Sequence, residues 1–198
     1  MIKFTNIKKE QPYKQFIKYY KKAELSNQRN IEAILISSFS RINNEVDARY
    51  VNLKYIQGDE FTFFSNYNSE KSNQFESHNQ ISAVFFWNNI NVQIRIKGKI
   101  KKLKRKNSIQ YFKKREPHKN ALAISSYQSM IISSYADIEK SYKHTLKNND
   151  LKKCPEYWGG YSFTPYYFEF WEGHESRINK REVFDKNDGL WKQSFLQP

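Results

Sequence analysis

One cysteine, Cys154, stands in a chain of 198 residues. No disulfide can form within the chain, and a reducing cytoplasm is the expected compartment. No apolar run approaches the roughly 18 residues that a membrane span needs. The first residues, MIKFTNIKKEQPYKQF, lack the apolar core of a secretory signal. Glycine is scarce, with six in all, and they form neither a GxGxxG fingerprint nor a P-loop. There is no GxSxG elbow. The histidines at 78, 118, 144 and 174 are scattered, and no Cys/His cluster has zinc spacing, so no metal is expected. The common signatures of hydrolase, nucleotide-loop and metal chemistry are absent. Redox chemistry would need an organic cofactor as its carrier.

What is present is a basic, aromatic-rich chain. Hydrophobic residues make up 38% and aromatics 17%, enough apolar surface for a folded core. The length suits one domain over residues 1–198, with an N-terminal helical segment and a helical insertion near 107–150. The formal charge is +14. A charge of that sign attracts polyanions, so it bears on partners rather than on fold. A small phosphate ester satisfies it as well as nucleic acid does. The densest basic stretch, Lys97, Lys99, Lys101, Lys102, Lys104, Arg105 and Lys106, has no interleaved aromatics for base stacking. It reads as a solvated strand end whose lysines discourage edge pairing, and nucleic acid is not the expected partner.

Periodicity predicts a helix over 12–25, with Tyr13, Phe16, Ile17 and Tyr20 on one face and Pro12 in the first turn. Strands are predicted over 31–39, 48–56, 60–66, 81–87 and 91–103, with turns at Asn43-Asn44, Gly58-Asp59 and Asn88-Asn89. The run ISAVFFW at 81–87 reads as buried on both faces. Ser69 is a candidate cap for a short helix through about His78. Helical spacing returns between 107 and 150, and strands resume at 158–164, 167–171, 177–184 and 190–196. Short strands, tight turns and a few helices predict a mainly β fold, a barrel decorated by helices.

Five segments then recur in a telling order: ARYVNLK (48–54), FFSNYNSEK (63–71), FFWNNINVQIRIKGKI (85–100), YFKKREP…SSYQS (111–129) and YWGGY…FEFWEGHESRINKR (157–181). Together with QPYKQFIKYY near the N-terminus, they resemble the pyridoxamine 5′-phosphate oxidase family over nearly the whole chain. WGGY followed by EFW, a glycine and R-x-x-x-R is the most specific part. The resemblance implies an FMN-binding split β-barrel and a homodimer, with FMN held without covalent attachment at the subunit interface. It implies oxidation of pyridoxamine or pyridoxine 5′-phosphate to pyridoxal 5′-phosphate, with O2 as the electron acceptor.

The resemblance also assigns residues. For FMN these are Arg49, Val51, Lys54, Phe64, Ser65, Lys71, Gln93, Gln128, Ser129, Trp171 and Arg181. Arg49 and Lys71 would hold the phosphate, since a guanidinium grips it through two N–H groups and a lysine near a helix start adds a cation. Gln93 can both donate and accept at a flavin edge. On the substrate side the resemblance implies Lys54, Tyr111 and Arg115 at the phosphate, Lys119 and Asn179 nearby, and Arg177 over the reacting ring. Each has a plainer alternative: a solvated strand or helix charge for the cations, core packing for Phe64 and Trp171, a helix cap for Gln128 and Ser129.

Departures fall mainly on the substrate side. Glu70 replaces the arginine that commonly precedes the FMN-phosphate lysine. Lys119 stands where the family has a serine, Asn179 where it has a histidine, and Arg115-Glu116-Pro117 replaces an RPR string. That pattern leaves two further readings open: a flavin enzyme of the same fold acting on another substrate, as in the phenazine-pathway oxidases, or a barrel that binds flavin or nucleic acid without catalysis.

Overall fold

The computed structural model describes residues 1–198. In chain order the elements are β1 (Lys3–Thr5), α1 (Gln11–Leu25), β2 (Ala33–Ser40), β3 (Glu45–Asn52), β4 (Tyr55–Gln57), β5 (Glu60–Asn66), α2 (Glu70–Ser77), β6 (Gln80–Trp87), β7 (Val92–Lys102), α3 (Arg105–Lys114), α4 (Pro117–Ser125), α5 (Tyr135–Asn148), β8 (Trp158–Glu172), β9 (Lys180–Asn187) and β10 (Leu190–Leu196). The strands form one sheet in the order β1-β4-β5-β8-β7-β6-β2-β3, with β9 and β10 branching from β8. All pairings are antiparallel except β1 with β4.

The branch comes from the length of β8. Its first half pairs with β5, its second half with β9, and β7 runs along its other edge. The sequence reads here as two strands broken near Pro165. They are one strand with a bulge: Lys97 pairs with Tyr167 and Gly98 with Pro165, so Tyr166 is the extra residue. A bulge is where a strand tolerates a residue without an N–H.

Three other expectations need correction. The strand predicted over 48–56 is two strands. Leu53 N bonds Glu32 O, and Lys54 N bonds Thr62 O, so the chain leaves β2 and joins β5 at that point. The strand predicted from Arg177 begins at Lys180, because residues 174–179 form a turn. ISAVFFW is not buried throughout: β6 alternates, and Phe86 is half exposed. The helical insertion near 107–150 divides into three helices. Pro117 forces Glu116 out of helical geometry (ψ 136°), and residues 126–134 connect α4 to α5 without a helix.

The core lies between the inner face of the sheet and α1. Tyr13, Phe16, Tyr19 and Tyr20 of α1 meet Phe61, Phe85, Trp87, Phe168 and Phe170 through edge, tilted and stacked ring contacts. The helix forms because those aromatics recur on one face, and burying that face supplies most of its stability. No helix is long and apolar enough to cross a membrane.

The WGGY string has a packing cause. A Cβ on Gly159 would collide with the Tyr67 hydroxyl and Ser108 Oγ; one on Gly160 would collide with Leu103. β8 thus passes tightly beneath α3, and Ser108 Oγ accepts from Gly160 N at 3.0 Å. Gly159→Ala is expected to cost about 1–3 kcal/mol of stability through overpacking. Chemical denaturation reads this as a lower midpoint; an unchanged midpoint would mean that Tyr67 swings aside freely.

Candidate active site

A cavity of about 640 Å³ opens where β3, the end of β5, the start of α2 and the pair α3–α4 meet. From β3 come Arg49, Tyr50, Val51 and Asn52, and Lys54 follows at the strand switch. The end of β5 gives Phe64, Ser65 and Asn66, and the first turn of α2 gives Glu70 and Lys71. The helical side adds Tyr111, Arg115, Lys119, Leu122 and Ala123. Ser126, Gln128, Ser129 and Trp158 complete the lining. Sequence-assigned residues spread over eighty positions are therefore in one place.

One end of the cavity is built around Lys71, which is only 7% exposed. Its ammonium donates to Ser69 Oγ at 3.1 Å and Ser65 Oγ at 3.3 Å and makes no ion pair. Burial, with Arg49 close by, pushes its pKa down to about 8. Ser69 stands at the N-cap of α2 but spends its hydroxyl on Asn66 O and not on a helix amide. The α2 amides keep their positive end at the cavity, beside Lys71. Arg49 is held from behind: Nη1 donates to Ser38 Oγ at 2.6 Å and Asp47 O at 3.3 Å, and Nη2 donates to Gln74 Oε1 at 3.1 Å. Glu70 is the one acid of the lining, and its charge opposes that of Arg49 and Lys71.

A second group of cations lies apart from the first. Arg115 and Lys119 both lie close enough to Lys54 to repel its charge, and burial lowers the pKa of Lys54 and Arg115. Lys54 has only a long contact to Glu32 at 3.8 Å, and Lys119 is tied to Glu116 at 2.7 Å. The Arg115 guanidinium lies 4.8 Å over the Trp158 ring and donates to Asn120 Oδ1 at 3.2 Å. Tyr111 stacks on Phe64, with centroids 3.8 Å apart and planes 10° apart, and Trp158 lies parallel to Phe64, 5.4 Å from it. Such stacking is worth about 0.5–1.5 kcal/mol per pair beyond burial. Phe64 is thus both wall and packing. Burial also raises the Tyr111 pKa, so its hydroxyl keeps its proton as a donor.

Gln128 and Ser129 cap no helix. Ser134 caps α5, accepting from Asp137 N, and Ser126 ends α4. Ser129 holds a left-handed backbone at φ 73°, rare for a residue with a side chain.

The remaining assigned residues lie outside the cavity. Gln93, Trp171 and Arg181 form one row across β7, β8 and β9, paired in register. Arg181 donates from Nε and Nη2 to Glu169 Oε1 at 2.9 and 2.8 Å. Arg95 approaches Glu169 Oε2 at 2.7 Å, so a carboxylate only 3% exposed orders two guanidiniums. Arg177 is exposed on the turn after β8, at φ 59°. Its N–H donates to His174 O, and Asn179 Oδ1 accepts from His174 N, which closes the turn. The basic stretch is partly committed: Lys101 pairs with Glu60 and Lys102 with Glu76, and Lys97 lies 4.7 Å from the Tyr167 ring.

Sequence reading missed Trp158 as a cavity wall, together with Asn52, Asn66 and the residues behind Arg49. Gln74 alone carried a signal, three positions after Lys71 and so on the same side of a helix.

The chain is similar to known proteins over nearly its whole length. The family profile described as pyridoxamine 5′-phosphate oxidase matches residues 22–145, and the one described as the pyridoxine 5′-phosphate oxidase C-terminal dimerisation region matches residues 158–198. A pyridoxine/pyridoxamine 5′-phosphate oxidase of Hydrogenovibrio crunogenus is 32% identical over 191 residues, 94% of this chain and 88% of that protein. One of Leptospira biflexa is 35% identical over 165 residues, 81% and 78% of the two chains. Among solved structures, PhzG from Burkholderia lata, in complex with tetrahydrophenazine-1-carboxylic acid, superposes with a TM-score of 0.90 at 19% identity, covering 95% of this chain and 93% of that one. An FMN-binding, pyridoxamine 5′-phosphate oxidase-related protein of Nostoc punctiforme superposes at 0.76 with 12% identity, covering 96% and 99%. The chain shares the split-barrel fold of these two structures and belongs to the pyridoxamine 5′-phosphate oxidase family.

Proposed function

We propose that this chain is an FMN-dependent oxidase that converts pyridoxamine or pyridoxine 5′-phosphate to pyridoxal 5′-phosphate, with O2 as the electron acceptor. The observation that carries the reading is the pair of separate cation groups in one cavity, with a buried, unpaired lysine in the first. Two phosphate esters fit two such groups. Arg49, Lys71 and the start of α2 would hold the FMN phosphate, with Ser65, Gln128 and Ser129 beside it and Val51 and Phe64 as apolar wall. Lys54, Arg115, Lys119 and the Tyr111 hydroxyl would hold the substrate phosphate. FMN, when bound, supplies the two-electron acceptor that side chains lack.

The residues outside the cavity fit a homodimer. The match to a dimerisation region spans β8 to β10, which carry Trp171, Arg177, Asn179 and Arg181, while Gln93 lies on β7. A second copy would bring that row, and Arg177 over the reacting ring, to the cavity of the first. Glu169 would then keep Arg181 aimed. A second reading, an oxidase of the same flavin and fold with another anionic substrate, is favoured by Lys119, which gives the substrate end a third cation.

The test is anaerobic mixing of the FMN-loaded protein with each phosphorylated vitamer. Bleaching of the flavin band, followed by pyridoxal phosphate formation when O2 is admitted, is expected. A fully loaded protein whose flavin neither vitamer reduces would overturn the assignment in favour of the second reading. The position of Glu70 also sets an expectation: Glu70→Gln should tighten FMN binding several-fold, because a carboxylate next to the phosphate group offsets part of the cationic field. Titration by flavin fluorescence reads it, and unchanged affinity would place Glu70 away from the phosphate.

A further inference from the structure

The guanidinium of Arg49 is aimed by a buried clasp of polar side chains. Gln74, 2% exposed, and Ser38, 3% exposed, lie behind it. Ser38 Oγ donates to Gln74 Oε1 at 2.5 Å and accepts from Arg49 Nη1; Gln74 Oε1 also accepts from Arg49 Nη2. Gln74 Nε2 donates to Asp47 Oδ2, which fixes which way round the amide sits.

A guanidinium has five N–H groups in one plane. Nη1 spends both of its hydrogens, on Ser38 Oγ and Asp47 O, and Nη2 spends one on Gln74 Oε1. The adjacent acceptors Ser38 and Gln74 occupy the edge between the two Nη atoms. Nε–H and one Nη2–H remain without a hydrogen-bond acceptor, with Asp47 Oδ2 at ion-pair distance, 3.7 Å, from Nη2. They are parallel and lie on the opposite edge, the two-pronged face that matches two oxygens of a phosphate.

We propose that Gln74 is a positioning residue that, through this clasp, presents the Nε/Nη2 edge of Arg49 to an anionic phosphate ester in the cavity. The inference rests on the reading of Arg49 as a phosphate ligand. A glutamine suits the place where a glutamate would not: the amide accepts from Ser38 and Arg49 on one side and donates to Asp47 on the other, whereas a carboxylate would meet Asp47 without a proton and would add a second negative charge to the one that Asp47 already sets 3.7 Å from Arg49 Nη2.

The test is a double-mutant cycle on FMN and riboflavin affinity, with riboflavin as the ligand that lacks the phosphate. Arg49→Ala decides the underlying reading: a loss of about tenfold for FMN and little for riboflavin supports it, and equal losses overturn it and the inference with it. Given that discrimination, Gln74→Met should weaken FMN binding by about tenfold, change riboflavin binding less than about twofold, and have almost no further effect in the Arg49→Ala background. If Gln74→Met does not fold, Gln74→Asn, too short to reach Arg49, takes its place with the same expectations. Equal losses of FMN and riboflavin, or a full effect that persists without Arg49, would reduce Gln74 to a packing role and overturn the positioning inference.

Discussion

FMN binding is expected to weaken by roughly fortyfold between pH 8 and pH 10, and Lys71→Met is expected to abolish that dependence. The cause is the state of Lys71 before a phosphate meets it. Burial and the nearby Arg49 bring its pKa to about 8. A bound phosphate dianion would return it at least to the usual lysine value of about 10.4, so binding takes up a proton above pH 8 and affinity falls by up to about tenfold per unit. The phosphate itself does not contribute, because its second pKa lies near 6. The sign for folding runs the same way. Between about pH 8 and 10.4 the unfolded chain holds the proton and the folded, ligand-free chain does not, so the stability of the ligand-free protein rises with pH across that window. Below pH 8 the cost of the buried ammonium is fully present, and a phosphate removes it. The measurement is the ratio of FMN to riboflavin affinity across pH, in which titration of the flavin ring cancels. A flat ratio in the wild type would show that Lys71 does not meet the phosphate.

Much of this arrangement is legible in the sequence because its parts travel as strings. The helix with Tyr13, Phe16 and Tyr20, and the strands β5 and β10, follow from local periodicity and end where predicted. The cavity residues are legible only through a pattern spread from Arg49 to Ser129. No local rule brings β3 beside α4; that comes from Leu53–Lys54 changing strand partners, a tertiary event that leaves no trace in propensity. The clasp behind Arg49 is harder still. Ser38, Asp47 and Gln74 come from β2, β3 and α2, and each is an ordinary polar residue on its own. β8 shows the converse failure. Pro165 signals a break, and the structure absorbs it as a bulge because β7 continues along the other edge. Arg177 in a left-handed conformation carries no warning either, since the glycine or asparagine that usually marks such a position is absent.

Arg177 is exposed, makes no side-chain bond within the chain, and is held in place by the turn alone. Arg177→Ala should therefore leave the fold and FMN occupancy intact, and on the proposed reading it should lower turnover of pyridoxamine 5′-phosphate by roughly 10²–10³-fold, the usual loss for one donor that meets developing charge. Asn179 separates positioning from proton chemistry. Its Oδ1 closes the turn on His174 N at 3.0 Å, so Asn179→Ala should lower turnover by releasing Arg177 while FMN stays bound. Asn179→His introduces a group that takes up and releases a proton, which an amide cannot do. The imidazole can replace the lost acceptor only through a deprotonated ring nitrogen, so faster turnover is expected above about pH 6.5 and not below it. Steady-state rates across pH for the three variants, each with its flavin content measured, read the outcome. If Arg177→Ala loses FMN in step with activity, the arginine belongs to cofactor binding and not to the reacting ring. If Asn179→His is slower at every pH, the side chain at 179 serves the turn alone.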